Sequence, residues 1–296
     1  MLLEIGVKIL SESLLSLYPI FVKYINIPIS LQLWSRFATY IFISFFFINY
    51  DYIFNTLFSK DGLLLSIITI IHVYTSYRGF QILESGIAYT LFYLYPLIIL
   101  ILAGEKIQFI MIFALIGLYL LTRESNQIKI SDESKSEENF QNKYIKDKEV
   151  IKENFNYEGI IMIILAAITE ALIYFVIRRI KTSNNWNHLF ISYFFGAIIL
   201  TLYYFKSIKN IEIKSALSLS IIINIFLGLF GYLLRFYAII NLDAKIYAPL
   251  SYFGILMAYI YGIIINKDKI TITKVIGSIF IVIPSIYISS FIFGGK

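Results

Sequence analysis

Two carboxylates, Glu12 and Glu170, stand 158 positions apart, each inside a long apolar stretch. A charge at the centre of a membrane helix costs roughly 2.5–3.5 kcal/mol on an insertion scale, so a Glu there faces a cavity or a partner rather than lipid. Such a group can titrate, hold a cation or meet a cationic substrate group. Around the first carboxylate, Lys8, Glu12, Ser16, Pro19 and Lys23 fall at helical spacing and form one polar stripe. Around the second, Ala167, Glu170, Tyr174 and Arg178 share a face. The plainer alternative is local pairing, Glu12 with Lys8 one turn away, which would only fix helix packing.

Arg78 and Arg235 repeat at almost the same interval. Arg235 lies beyond Asn224, Gly228 and Gly231 on one helix face, where small residues let helices approach and a guanidinium can reach a buried carboxylate or an anionic substrate group. Both arginines lie near helix ends, so snorkelling to the head groups is the competing reading, and Arg36 beside Trp34 is open in the same way. Tyr74 pairs with Tyr232 and Tyr89 with Tyr247, each 158 positions on. Tyr89, Phe92, Tyr93 and Pro96 gather on one side of their helix, with Tyr247, Ser251 and Gly254 as counterparts. Tyr74, Tyr89, Tyr93, Tyr232 and Tyr247 are therefore expected to wall a central cavity, their phenols orienting a flat or amphipathic metabolite. An aromatic stripe used for packing alone is the alternative.

The elements that must carry these residues follow from hydropathy. The chain has 296 residues, 59% of them hydrophobic and 15% charged, with mean hydropathy +0.78, too little polar surface to cover a soluble globule. It reads as an all-α, polytopic integral membrane protein. A hydrocarbon core of ~30 Å needs about 20 apolar residues per helix. Cutting at polar and Pro/Gly breaks gives ten helices, at 5–25, 31–49, 62–81, 85–103, 107–122, 158–180, 187–205, 217–240, 243–265 and 271–292. Two five-helix units, 1–122 and 158–296, flank a charged linker, 123–157, that is too polar for lipid and too poor in apolar residues to build a core. With five helices per unit the second inserts upside down, the inverted-repeat arrangement of many secondary transporters.

Other chemistries lack their residues. With no Cys there is no disulfide, thiolate metal site or cysteine nucleophile, and His72 and His188 lack metal-ligand spacing, so neither cofactor nor metal is expected. No phosphate-binding loop occurs, which excludes an ATP-driven pump within this chain. A membrane-embedded enzyme on lipid-linked substrates would have only His188 with Glu170 as an acid/base pair. A non-transporting sensor would use the linker to recruit a partner. The net charge of +6 sits at helix ends and in linkers, as anionic head groups and topology require, so no nucleic acid is expected. The expected partners are a small-molecule substrate and the bilayer, with a homodimer left open.

The segment Ser85-Gly86-Ile87-Ala88-Tyr89, followed by Tyr95-Pro96-Leu97, Gly104-Glu105-Lys106-Ile107 and Ile116-Gly117, resembles the drug/metabolite transporter superfamily, in particular its EamA-like members. Pro19, Lys23 and Arg36 fit the same pattern. In the second half Asp243-Ala244 and Ile276-Gly277 fit, but the Pro gives way to Gly254 and the Gly-Glu turn to Asn266-Lys267-Asp268-Lys269, so the first half is expected to match better. The resemblance implies ten helices in two inverted halves, a gradient-driven transporter of amino acids, nucleotide-linked compounds or related metabolites in a plasma or inner membrane, and no enzymatic reaction. Site roles in substrate binding or coupling are expected for Glu12, Glu170, Arg78, Arg235, Tyr74, Tyr89, Tyr93, Tyr174, Tyr232 and Tyr247.

The resemblance places both termini in the cytosol, whereas the Lys-rich linker and outer loops favour the opposite by the positive-inside rule. In this Cys-free chain, single cysteines at Phe140 and Ser183 are expected to react with an impermeant maleimide from opposite sides of the membrane, and the side each takes fixes the orientation. Labelling of both from one side would break the helix count.

Overall fold

The computed structural model describes residues 1–24, 27–83, 88, 91–105, 109, 112–113, 115–117, 119–120, 157–208, 214–266, 271–273 and 275–280. Among them the regular elements are all helical. They are α1 (Leu2–Tyr24), α2 (Ile29–Ser44), α3 (Tyr50–Thr56), α4 (Lys60–Ile82), α5 (Tyr95–Leu102), α6 (Tyr157–Arg179), α7 (Asn185–Ile208), α8 (Lys214–Asn241), α9 (Ala244–Ser251) and α10 (Phe253–Asn266). Five stretches, Lys60–Ile82, Tyr157–Arg179, Asn185–Tyr204, Leu217–Asn241 and Ala244–Ile265, are long and apolar enough to cross a membrane. Most of the expected helix at 107–122, the linker and much of the last helix lie outside the described residues.

Three boundaries differ from the sequence reading. The second expected helix stops at Ser44, where a run of turns begins, and the connection carries α3, capped by Asn49, whose side chain accepts from the Tyr52 backbone N–H. The fourth is interrupted at Tyr93–Leu94 and the ninth at Tyr252. Leu94 and Tyr252 are 158 positions apart, so the two interruptions occupy one place in the repeat. Pro96 opens α5, where its missing N–H would have no helical partner in any case.

Long contacts run between the halves. α4 packs on α6, α1 on α8 and α10, α2 on α7, α4 on α7, and α5 on α6 and α9. α4 and α6 are antiparallel: Gly159 meets Leu83 at one end of the pair, and Arg179 meets Asp61 at the other, 3.0 Å apart. In the α2–α7 pair Trp34 Nε1 donates to Thr201 Oγ1 at 3.0 Å, Gly196 lies against the Phe37 ring, and the Asn49 N–H donates to Asn187 Oδ1 at 2.9 Å. At the end of α5, Gly104 takes φ +69°, the Gly104 N–H donates to the Ile101 carbonyl, and the Glu105 N–H donates to that of Leu100. That is a Schellman stop, so the Gly-Glu turn of the sequence is a helix terminator.

Close approach at α4–α6 depends on Gly79, where a Cβ would press into Ile163. Gly79→Leu is expected to lose about 1–3 kcal/mol through overpacking, read as a lowered unfolding midpoint in detergent. Gly6→Ala, where a Cβ meets nothing within 4 Å, should leave the midpoint in place.

Candidate functional site

Lys8 and Glu12 lie one turn apart on α1, and both are fully buried. Lys8 Nζ donates to Glu12 Oε1 at 2.5 Å and lies 3.5 Å from the centre of the Tyr247 ring on α9. Arg235 crosses from α8 and joins the two carboxylates: Nη2 donates to Glu12 Oε1 at 3.1 Å and Nη1 donates to Glu170 Oε1 on α6. The Tyr95 hydroxyl adds a 3.4 Å contact to Glu12 Oε1. On α4, His72 Nε2 lies 3.2 Å from Glu170 Oε2, and its Nδ1 is 3.1 Å from the Ala166 carbonyl. At the break before α5, the Tyr93 hydroxyl fits against Gly254 of α10, and a Cβ there would also stand 2.8 Å from Glu12 Oε2. Gly254 is thus the gap into which a phenol and a carboxylate fit.

Two carboxylates face a lysine amine and a guanidinium in this cluster, and every member is at most 4% exposed. Burying such charges demands that each be paired, because the desolvation cost is several kcal/mol per ion. A second cation sits beside the first. Arg36 of α2 donates through Nη2 to the Tyr193 hydroxyl at 2.8 Å, with the ring centres of Tyr40, Tyr77, Tyr193 and Tyr232 at 5.5, 5.7, 5.6 and 4.8 Å. Tyr232 serves both cations, since the Arg235 guanidinium lies 5.5 Å from the same ring. Ser35, Ser220 and Asn224 extend the polar seam, with Asn224 Nδ2 donating to Ser35 Oγ at 3.0 Å.

Of the residues picked out by sequence, Glu12, Glu170, Arg235, Tyr93, Tyr232 and Tyr247 are buried in or against this cluster. The local pairing of Glu12 with Lys8 and the reach of Arg235 to a carboxylate both occur. The Tyr174 ring is tilted against that of Tyr247, ring centres 4.9 Å apart, and its hydroxyl accepts from Arg178 Nη1 at 3.1 Å, at the edge of the cluster. Two residues are elsewhere. Tyr74 is 47% exposed on the outer face of α4, and Arg78 pairs with Glu158 at 3.0 Å near the helix end, away from the centre. Tyr89 lies outside the described residues. His188, which the sequence offered beside Glu170 only as the sole acid/base pair for the rival enzyme reading, packs edge-on to Phe236, and it is His72 that meets Glu170.

A π turn explains the failed pairing of Tyr74 with Tyr232 and of Arg78 with Arg235. Asn224–Leu229 is wound as a π-helix inside α8, and α4 has no such turn. A π turn takes in one extra residue, rotating all that follows by about 100°. With that one-residue shift Tyr232 lines up with buried Val73 and Arg235 with buried Ser76, and the buried faces of the two helices coincide. His72, Tyr95 and, around Arg36, Tyr40, Tyr77 and Tyr193 escaped the sequence reading. Thr69, His72, Ser76 and Gly79, a small and polar face at helical spacing on α4, was the available signal for His72.

Residues 157–290 match the model of the EamA-like transporter family, in the drug/metabolite transporter superfamily. The match falls in the half expected to fit less well. The match over this segment and the five long apolar helices together indicate an integral, multi-pass membrane protein. No curated protein matches the chain. A solved structure described only as the crystal structure of a protein is similar over 97% of this chain and 98% of its own, with 12% identity and a TM-score of 0.68, a likeness of fold alone.

Arg235→Met should cost about 3–5 kcal/mol of unfolding free energy by taking the guanidinium from buried Glu170 and leaving Glu12 with Lys8 alone. Adding Glu170→Gln to it is expected to restore part of that loss. Additive costs in the double-mutant cycle would show that the two residues do not interact.

Proposed function

We propose that the chain is a secondary transporter that moves a small polar or amphipathic metabolite by alternating access, with the buried cluster as its binding and coupling centre. The observation that carries this reading is the origin of the charges. Lys8, Glu12 and His72 come from one half and Glu170 and Arg235 from the other, so the costliest groups in the molecule meet where the halves meet. Packing alone would be served by apolar residues of similar volume.

Two further features support an inverted repeat. Exchanging the halves carries the contacts α4–α6 onto α8–α1, α4–α7 onto α8–α2 and α5–α6 onto α10–α1, while α2–α7 maps onto itself. The paired interruptions at Tyr93–Leu94 and Tyr252 fit the discontinuous helices that flank transporter binding sites. The superfamily suggests amino acids, nucleotide-linked compounds or related metabolites as cargo, and the missing phosphate loop leaves a gradient as the energy source.

A thermal-shift screen of the purified protein over metabolites is expected to find a ligand that raises the unfolding midpoint, and proteoliposomes should then take up that ligand. Glu12→Gln and Glu170→Gln keep the shape and remove the charge, and at least one should abolish uptake while inserting normally. Unchanged rate and pH dependence in both variants would remove the coupling role. Deleting 126–152 should leave most of the flux, whereas a sensor that signals through the linker would lose its output.

A further inference from the structure

His72 and Glu170 face each other in a geometry that two acceptors do not tolerate. The nearest polar neighbour of His72 Nδ1 is the Ala166 carbonyl at 3.1 Å, and a carbonyl oxygen can only accept, so Nδ1 carries a hydrogen. Thr169 Oγ1 is farther from Nδ1, at 3.4 Å, and its single hydrogen is directed to the carbonyl of Leu165 at 2.7 Å or of Ala166 at 3.0 Å. A neutral ring protonated on Nδ1 turns the lone pair of Nε2 toward Glu170 Oε2, 3.2 Å away. Two lone pairs at that distance repel unless a proton lies between them, as an imidazolium facing a carboxylate or as a carboxylic acid donating to the ring.

We propose that His72 and Glu170 form a proton-binding site that holds one exchangeable proton between Nε2 and Oε2. Its surroundings separate it from the other carboxylate. Glu12 Oε1 faces the Lys8 amine and the Arg235 guanidinium, together with the Tyr95 hydroxyl. Glu170 meets the Arg235 guanidinium and the His72 imidazole, a ring that can exist with or without a second proton. The groups facing the pair are Arg235 of α8, Lys8 and Glu12 of α1, Arg36 of α2, Tyr247 of α9, Thr169 of α6 and the Phe92 ring ahead of α5; from α7 Tyr193 bonds Arg36. With the proton bound, the five groups Lys8, Glu12, His72, Glu170 and Arg235 carry one net positive charge; without it they are balanced. That this proton drives transport rests on the function proposed above, whereas its presence on the pair does not.

The chain has two histidines, so ¹⁵N-histidine labelling of the full-length protein in lipid nanodiscs gives two rings to read, with His188→Gln assigning them. The expected result between about pH 5 and 9 is a His72 ring protonated on Nδ1 throughout. It should be accompanied at the acid end by a proton on Nε2 or by a carboxylic-acid carbonyl band in the infrared that Glu170→Gln removes, either being lost toward the alkaline end. Thr169→Val should leave the Nδ1 signal unchanged. A ring with bare Nδ1 and its hydrogen on Nε2 at every pH overturns the proposal. So does a ring protonated on Nδ1 with neither an Nε2 proton nor an acid band, and so does a shared proton that never leaves in this range. A titrating pair in a protein that moves no metabolite would sink the transporter reading and leave the proton site standing.

Discussion

The rest of this molecule depends on one guanidinium that holds two carboxylates inside the helical bundle. Arg235 is 4% exposed and bonds Glu12 on α1 and Glu170 on α6, two helices that belong to opposite halves. Neither carboxylate can stay ionised in an apolar interior without such a partner, so the three helices must meet and their registers are set by the meeting. Glycines then supply the closeness. Gly231 lies against Leu15 of α1, the Ser11 hydroxyl donates to the Gly231 carbonyl at 2.8 Å, and Gly254 leaves room for Tyr93 and Glu12. Electrostatics fixes which helices touch, and small residues fix how near they come.

The same constraint tells what a sequence can and cannot disclose. Hydropathy marked the helical spans because a bilayer leaves few alternatives for the backbone. Mid-span charges such as Glu12 and Glu170 were visible for the same reason, and the i, i+4 spacing of Lys8 and Glu12 already implied their contact. Correspondences between the halves were less safe. Counting residues put Tyr74 with Tyr232, but a π turn at Asn224–Leu229 depends on local packing that composition does not announce, and it turned one ring inward and left the other outside. His72 was hidden by a different gap. A histidine read for metal spacing says nothing about a carboxylate 98 positions away in sequence, and that contact exists only once α4 lies on α6. The Gly104-Glu105 turn was legible as a motif, while its Schellman geometry needed the backbone.

The two breaks in the bilayer-spanning helices have a cost that the cluster offsets. Interrupting a helix in lipid frees backbone groups that no solvent will satisfy, and such interruptions persist where they are surrounded by protein. Here both lie inside: Tyr93, Tyr95 and Tyr252 are all nearly inaccessible, the Tyr95 hydroxyl reaches Glu12, and the Tyr93 hydroxyl lies against Gly254.

Tyr232 has a consequence of another kind. Its ring lies 4.8 Å from the Arg36 guanidinium and 5.5 Å from that of Arg235, so one π system serves as a common neutral counter-charge for cations held by α2 and α8. A ring quadrupole shared in this way is a finite resource: whatever draws one guanidinium away leaves more of the ring's negative face to the other. The ion cluster and the tyrosine cage are in that respect a single electrostatic body, whose two ends exchange stabilisation through one phenol without any proton or side chain passing between them.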